Sequence, residues 1–198
     1  MMTNIIELNR RAVDHSVQIV SRLTPADLDR PTPCAAWKLG DLLQHMIAQH
    51  RGFAAAARGN GADPEVWEAR PLADDPAAEY ADAAADVLAA FAEPGALERD
   101  FALPEVAPGF TAPGSQVLGF HLVDYVVHAW DVARALGIEY RLEEELAGYT
   151  LDVALAVPDD EHRTQPGASF APVVPVRDSA DAMDRILGAL GRSPQWPN

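Results

Sequence analysis

One cysteine, Cys34, and one lysine, Lys38, stand in a chain of 198 residues. A single cysteine excludes an intrachain disulfide and a thiolate cluster for structural zinc. Scarce lysine and a formal net charge of −15 argue against a nucleic-acid surface and against docking on anionic membranes, because phosphates are held by clustered Lys and Arg. No apolar run approaches the roughly 20 residues that a membrane span needs. The opening residues, MMTNIIELNRRAV, turn charged from Glu7 onward and lack the apolar core of a secretory leader. The expectation is a cytoplasmic protein, with no nucleic acid and no membrane among its partners. The zinc-hydrolase signature H-E-x-x-H is absent, as is a glycine-rich phosphate loop, and no Ser/His/Asp order stands out.

What is present is a chain 48% hydrophobic, rich enough to build a substantial core. Apolar residues recur at helical spacing in four long segments. The first spans 3–23, with Thr3 or Asn4 as its cap. The second begins near Trp37 and stops at the Gly59-Asn60-Gly61 run. The third starts at Asp75–Pro76, a capping side chain followed by proline where its missing N–H is harmless. The fourth runs from a Ser115 cap to Gly137. Two short strands fit between the third and fourth. A fifth helix is expected within 140–157, then an extended, proline-broken stretch over 157–179. A last short helix starts at Asp178 or Ser179. The expected fold is all-α: a four-helix bundle over 1–140 with long crossover connections, and a C-terminal helical and extended segment, 141–198, packed on it.

The fourth segment is apolar on nearly every side, the mark of a central helix. Yet His121, Asp124 and His128 lie within roughly 60° of one another on it. An unpaired carboxylate among apolar neighbours is costly, so such a group is normally paired or bound to a metal. His45 borders the apolar face of the second helix, with Gly52 and Ala56 on the same side leaving space beside the imidazole. If these helices pack together, His45, Asp124 and His128 meet. Two imidazoles and a carboxylate suit zinc, with iron or nickel as alternatives, and three protein ligands leave a position open. The spacing alone fits an ordinary i,i+4 hydrogen bond or ion pair between Asp124 and His128 equally well. His15 reads as a packing residue, and His50 and His162 as surface groups. Cys34 is a small buried hydrophobe beside Trp37, or a thiol activated at a helix start.

Two motifs add to this. The stretch TPCAAWKLGDLLQHM resembles the first signature of the DinB-like family, and DYVVHAWDVARALG resembles the second signature of its actinobacterial branch, related to mycothiol-dependent maleylpyruvate isomerase. The tail, FAPVVPVRDSADAMDRILGALGRSPQW, is similar to the closing segment of a metal-binding subgroup. The resemblance implies a four-helix bundle holding a divalent metal, usually zinc, through His45, Asp124 and His128. Asp124 stands where the characterised isomerase carries Glu, and Lys38 where the family has a capping Thr or Ser. The resemblance further implies mycothiol or a related small thiol as cofactor, and isomerase or transferase chemistry on a small electrophile, with His121 and Tyr125 lining the pocket. It assigns no catalytic residue. A non-catalytic metal-binding or regulatory protein and a metal-water hydrolase are the alternatives, and a homodimer through outer helix faces is one arrangement the surface permits.

Overall fold

The computed structural model describes residues 4–34, 37–165 and 168–197. Four helices make the bundle: α1 (Ile5–Val20), α2 (Leu39–Ala57), α3 (Pro76–Phe91) and α4 (Gly114–Leu136). Their main contacts run α1–α4, α4–α2, α2–α3 and α3–α1, a closed ring. Helices α1 and α2, consecutive in the chain, are therefore diagonal to each other, as are α3 and α4, and the links between them must cross the bundle. The second of these links carries a two-stranded antiparallel hairpin, β1 (Asp100–Ala102) with β2 (Thr111–Pro113). Among the described residues no helix is long and apolar enough to cross a membrane.

The helix ends show how local chemistry sets these elements. Asn4 caps α1, its side chain accepting from the Ile6 N–H at 3.1 Å; Thr3 lies outside the described residues. Asp75 caps α3 by accepting from the Ala78 N–H at 3.0 Å, with Pro76 in the first turn. At α2 the capping position holds Lys38, which has no oxygen to offer. The end is secured instead by Asp41, whose carboxylate accepts from the Lys38 N–H at 3.0 Å. Two expected caps are corrected. Helix α4 begins at Gly114 behind Pro113, not behind Ser115. The last helix, α6 (Ala182–Ala189), is capped by Asp181, which accepts from the Asp184 N–H at 2.8 Å, rather than by Asp178 or Ser179. Gly137 ends α4 in the left-handed region, with φ of 71°, where a Cβ would be strained.

Helix α4 is central, as its apolar sides require. Tyr125 and Val132 join the core with Leu42, Met46 and Tyr80. On the opposite side Val123, Val127 and Trp130 pack against Ile186 and Leu187 of α6 and Ala154 of α5 (Glu144–Ala156). The C-terminal segment thus covers the outer side of α4. Its extended part is tied by Arg163, a buried guanidinium that donates to the carbonyls of Val157, Pro158, Ala171 and Ala189 at 2.6–3.1 Å.

The space expected beside Gly52 is filled. A 3₁₀ turn at Pro64–Trp67 turns the Trp67 indole onto α2, and a Cβ on Gly52 would lie 2.1 Å from the ring. The indole N–H is fixed by the Gly61 carbonyl at 2.9 Å, so the ring cannot easily retreat. Alanine at this position would gain roughly 0.5–1 kcal/mol of helix preference. The clash outweighs that gain, and Gly52→Ala is expected to destabilise the fold by about 1–3 kcal/mol. Urea denaturation reads this directly; an unchanged midpoint would contradict the packing.

Candidate metal centre

Helix α2 delivers His45 and helix α4 delivers Asp124 and His128, and one ligand atom from each lies within 4.8 Å of the others. The two imidazoles meet edge to face, 5.2 Å between centroids and 76° between planes. Trp37 packs on His45 at 4.7 Å. The Nε2 atom of His128 is 3.3 Å from Oδ1 of Asp124. The other carboxylate oxygen, Oδ2, is shut off from solvent and has no hydrogen-bond partner among the described residues, although the Asp124 side chain as a whole is 25% exposed.

A second cluster adjoins the first. The Nδ1 atom of His128 lies 2.9 Å from Oδ2 of Asp131, a fully buried carboxylate. That oxygen also accepts from the Cys34 thiol at 3.2 Å and from Arg192, whose Nε and Nη2 approach at 3.1 and 3.0 Å. Cys34, His128 and Asp131 form another set of ligand-type atoms within 4.8 Å. Thr32 holds the loop that carries the thiol: its one hydroxyl proton is shared between the carbonyls of Trp37 and Cys34, 2.8 and 3.0 Å away, and its oxygen accepts from the Cys34 N–H at 3.1 Å.

The electrostatics follow from burial and pairing. Burial, then the neighbouring His128, lower His45 to about 4, which keeps its imidazole neutral. For His128, burial opposes the charge, but Asp124 and Asp131 on its two sides outweigh it and raise the pKa well above that of a free imidazole. Burial raises Asp124, yet His128 and His45 outweigh it and hold the carboxyl below the usual carboxylate range. Asp131 is likewise lowered: Arg192 and then His128 overcome its burial. The centre favours positive charge at His128, the position a cation would share. The donor set, two imidazoles with a carboxylate oxygen that has no partner, fits a divalent metal.

The other histidines fall differently from one another. His50, expected on the surface, is fully buried, stacked on Tyr125 at 3.8 Å and 3.3 Å from His121 through ring nitrogens. The reason is periodicity: its neighbours on α2 are apolar, and inside the core the ring gains the stack on Tyr125 and the Nδ1 contact with His121, while Nε2 has no partner among the described residues. His162 is exposed, and His15 stacks on Tyr140 at 4.9 Å. His121 and Tyr125, expected beside a substrate, are enclosed in the core; the Tyr125 hydroxyl donates to the Met46 carbonyl at 2.5 Å. Asp131 and Arg192 escaped residue-level reasoning. Both stand inside motifs already visible, the W-D pair of α4 and the G-R pair of the tail, but their contact spans 61 residues.

Removing the Asp131 carboxylate leaves a buried Arg192 without its partner. Asp131→Ala is expected to destabilise the protein by about 3–5 kcal/mol, the range for breaking one side of a buried pair. Truncating the exposed Lys38–Asp29 pair should change little. Denaturant titration of both variants checks the contrast, and equal effects would refute it.

Residues 10–133 match the family described as the mycothiol maleylpyruvate isomerase N-terminal domain. The uncharacterized proteins MT0763 and Rv0738 of Mycobacterium tuberculosis, strains CDC 1551 / Oshkosh and ATCC 25618 / H37Rv, are each 32% identical over 187 residues, which cover 93% of this chain and 96% of the relative. Among solved structures, the mycothiol-dependent maleylpyruvate isomerase has a similar fold, with a TM-score of 0.66 at 14% identity, covering 96% of this chain and 89% of that one. A histidine-to-alanine mutant of such an isomerase gives 0.64 at 14% identity, with 93% and 87% covered. The match over most of the bundle, the end-to-end relatives and the shared all-α fold agree, and the chain belongs to the mycothiol maleylpyruvate isomerase N-terminal domain family.

Proposed function

We propose that this protein is a divalent-cation-dependent isomerase or transferase of the metal-binding subgroup, one that uses a low-molecular-weight thiol, mycothiol first, against a small electrophile. One observation carries the proposal: Oδ2 of Asp124 is buried without a partner among the described residues, beside two imidazoles. A buried carboxylate oxygen left in this state costs stability unless something positive completes it. His45, Asp124 and His128 would hold the ion, zinc before nickel or iron. A divalent cation held by them would supply Lewis acidity, lowering the pKa of a nearby thiol or water.

The chain's own residues do the rest. Asp131 accepts from Nδ1–H of His128 and so fixes the ring; loss of the other proton, on Nε2, would free that nitrogen's lone pair for the ion. Burial keeps His45 neutral, the form that coordinates. Trp37 covers part of the His45 ring and limits water at that side. Cation binding without catalysis is the second reading.

Elemental analysis of the purified protein is expected to find one divalent ion per chain, lost in His45→Ala and in Asp124→Ala. Equal metal in all three would overturn the ligand assignment. The ion at about 100 times its Kd should raise stability by about 2.7 kcal/mol, an effect that a chelator reverses. With mycothiol and a generic electrophile, thiol consumption should require both the ion and Asp124. Consumption that survives Asp124→Ala would rule out the mechanism. Metal binding without consumption selects the second reading, and turnover with ion and water alone selects a hydrolase.

A further inference from the structure

Two donor sets share His128: His45 with Asp124, and Cys34 with Asp131. Both have the right chemistry for a divalent ion, and the thiol makes the second the softer of the two. Among the described residues Arg192 hydrogen-bonds only with the second, at Asp131 and Cys34, although its charge also reaches His45 and Asp124. We propose that Arg192 decides which set takes the cation, by occupying the Cys34–His128–Asp131 set with a guanidinium of the chain's own. The proposal rests on the reading of His45, Asp124 and His128 as the metal centre.

Asp131 is fully buried, so its charge needs a compensating cation. Arg192 supplies it in a fork, with Nε 3.1 Å from both carboxylate oxygens and Nη2 3.0 Å from Oδ2. The same Nη2 lies 3.5 Å from the Cys34 sulfur. An ion placed between Cys34 and Asp131 would therefore face a fixed positive charge at contact distance, in a poorly solvated place where repulsion is strong. Oδ2 of Asp131 is also taken, by the thiol, by His128 and by Arg192, and Oδ1 accepts from Arg192 Nε. Asp124 presents the opposite case, with Oδ2 free.

The guanidinium is held in position by the C-terminal segment. The Arg192 N–H donates to the Leu187 carbonyl at 2.8 Å, and Nη1 to the Leu190 carbonyl at 3.3 Å. Helix α6, just before it, is packed on Val123, Val127 and Trp130. The segment beyond the bundle thus acts on the chemistry of the site: it closes one donor set and fixes His128 for the other. With a neutral side chain at 192, Asp131 loses its guanidinium and keeps only the His128 imidazole, which it shares with Asp124, and the thiol beside it. An external divalent ion then supplies the missing charge, binding sulfur as the thiol proton leaves to solvent.

Cobalt(II) distinguishes the two sets, because thiolate ligation adds a sulfur-to-cobalt charge-transfer band in the near ultraviolet. The wild-type protein should bind one cobalt without that band. Arg192→Met should gain it, and the double variant Cys34→Ser with Arg192→Met should lose it again. Arg192→Lys keeps the charge and should keep the wild-type spectrum. Arg192→Gln replaces the methionine variant should that one lose its helical circular dichroism. The band in the wild-type or lysine protein overturns the proposal, as does cobalt bound to a folded neutral variant without the band. No cobalt in the wild-type protein, with the band present in Arg192→Met, overturns the His45–Asp124–His128 centre but upholds the blocking role of Arg192.

Discussion

His128 is a buried imidazole with a carboxylate against each nitrogen, Asp124 at Nε2 and Asp131 at Nδ1. Burial alone would strip its proton, yet the two acids hold it in place. That balance organises the molecule. Each acid must be compensated in turn, and the compensation comes from different parts of the chain: Asp131 chiefly from Arg192 in the C-terminal segment, Asp124 from His128 one turn along α4, with the neutral ring of His45 on α2 closing the site beside them. One helix carries the charges, but three elements are needed to make them tolerable inside a core.

The polar interior continues below this centre. The Asn9 side-chain amide donates to the Leu118 carbonyl at 3.4 Å and faces Nδ1 of His121 at 2.9 Å. The acceptor role of that nitrogen leaves Nε2–H of His121 to point at His50, 3.3 Å away. His50 in turn lies flat on Tyr125. Such a network removes rotational freedom from the residues beside Asp124, because a ring fixed by both stacking and hydrogen bonds cannot turn without losing several contacts at once. The ring order of the bundle makes this possible, since α4 touches both α1, which brings Asn9, and α2, which brings His50.

Particular residues show where sequence reading succeeds and where it stops. Asp75–Pro76 and Gly137 mark helix ends through backbone chemistry a few residues long, and both act in the structure as that chemistry requires. Ser115 and Ser179 carry the same kind of signal and do not act on it. Pro113 and Asp181 take the positions: α4 starts directly after the strand that ends at Pro113, and the Asp181 carboxylate itself accepts from the Asp184 N–H. Gly52 reads as open space and is in fact a seat for Trp67, from a turn that looks like plain loop. His50 reads as a surface group because single histidines usually are. Its burial depends on His121 and Tyr125, which lie 71 and 75 positions further on.

The sequence by itself determined the helices, their apolar sides and the central place of α4, because these follow from side-chain periodicity and local caps. It also named the residue types that could meet a cation. Only the tertiary structure decided which of them meet, that Asp131 rather than solvent orients His128, and that a guanidinium from the far end of the chain neutralises Asp131. The physical reason is that electrostatic compensation inside a protein depends on distance in space and on exclusion of water, and neither is written in the spacing of residues along the chain.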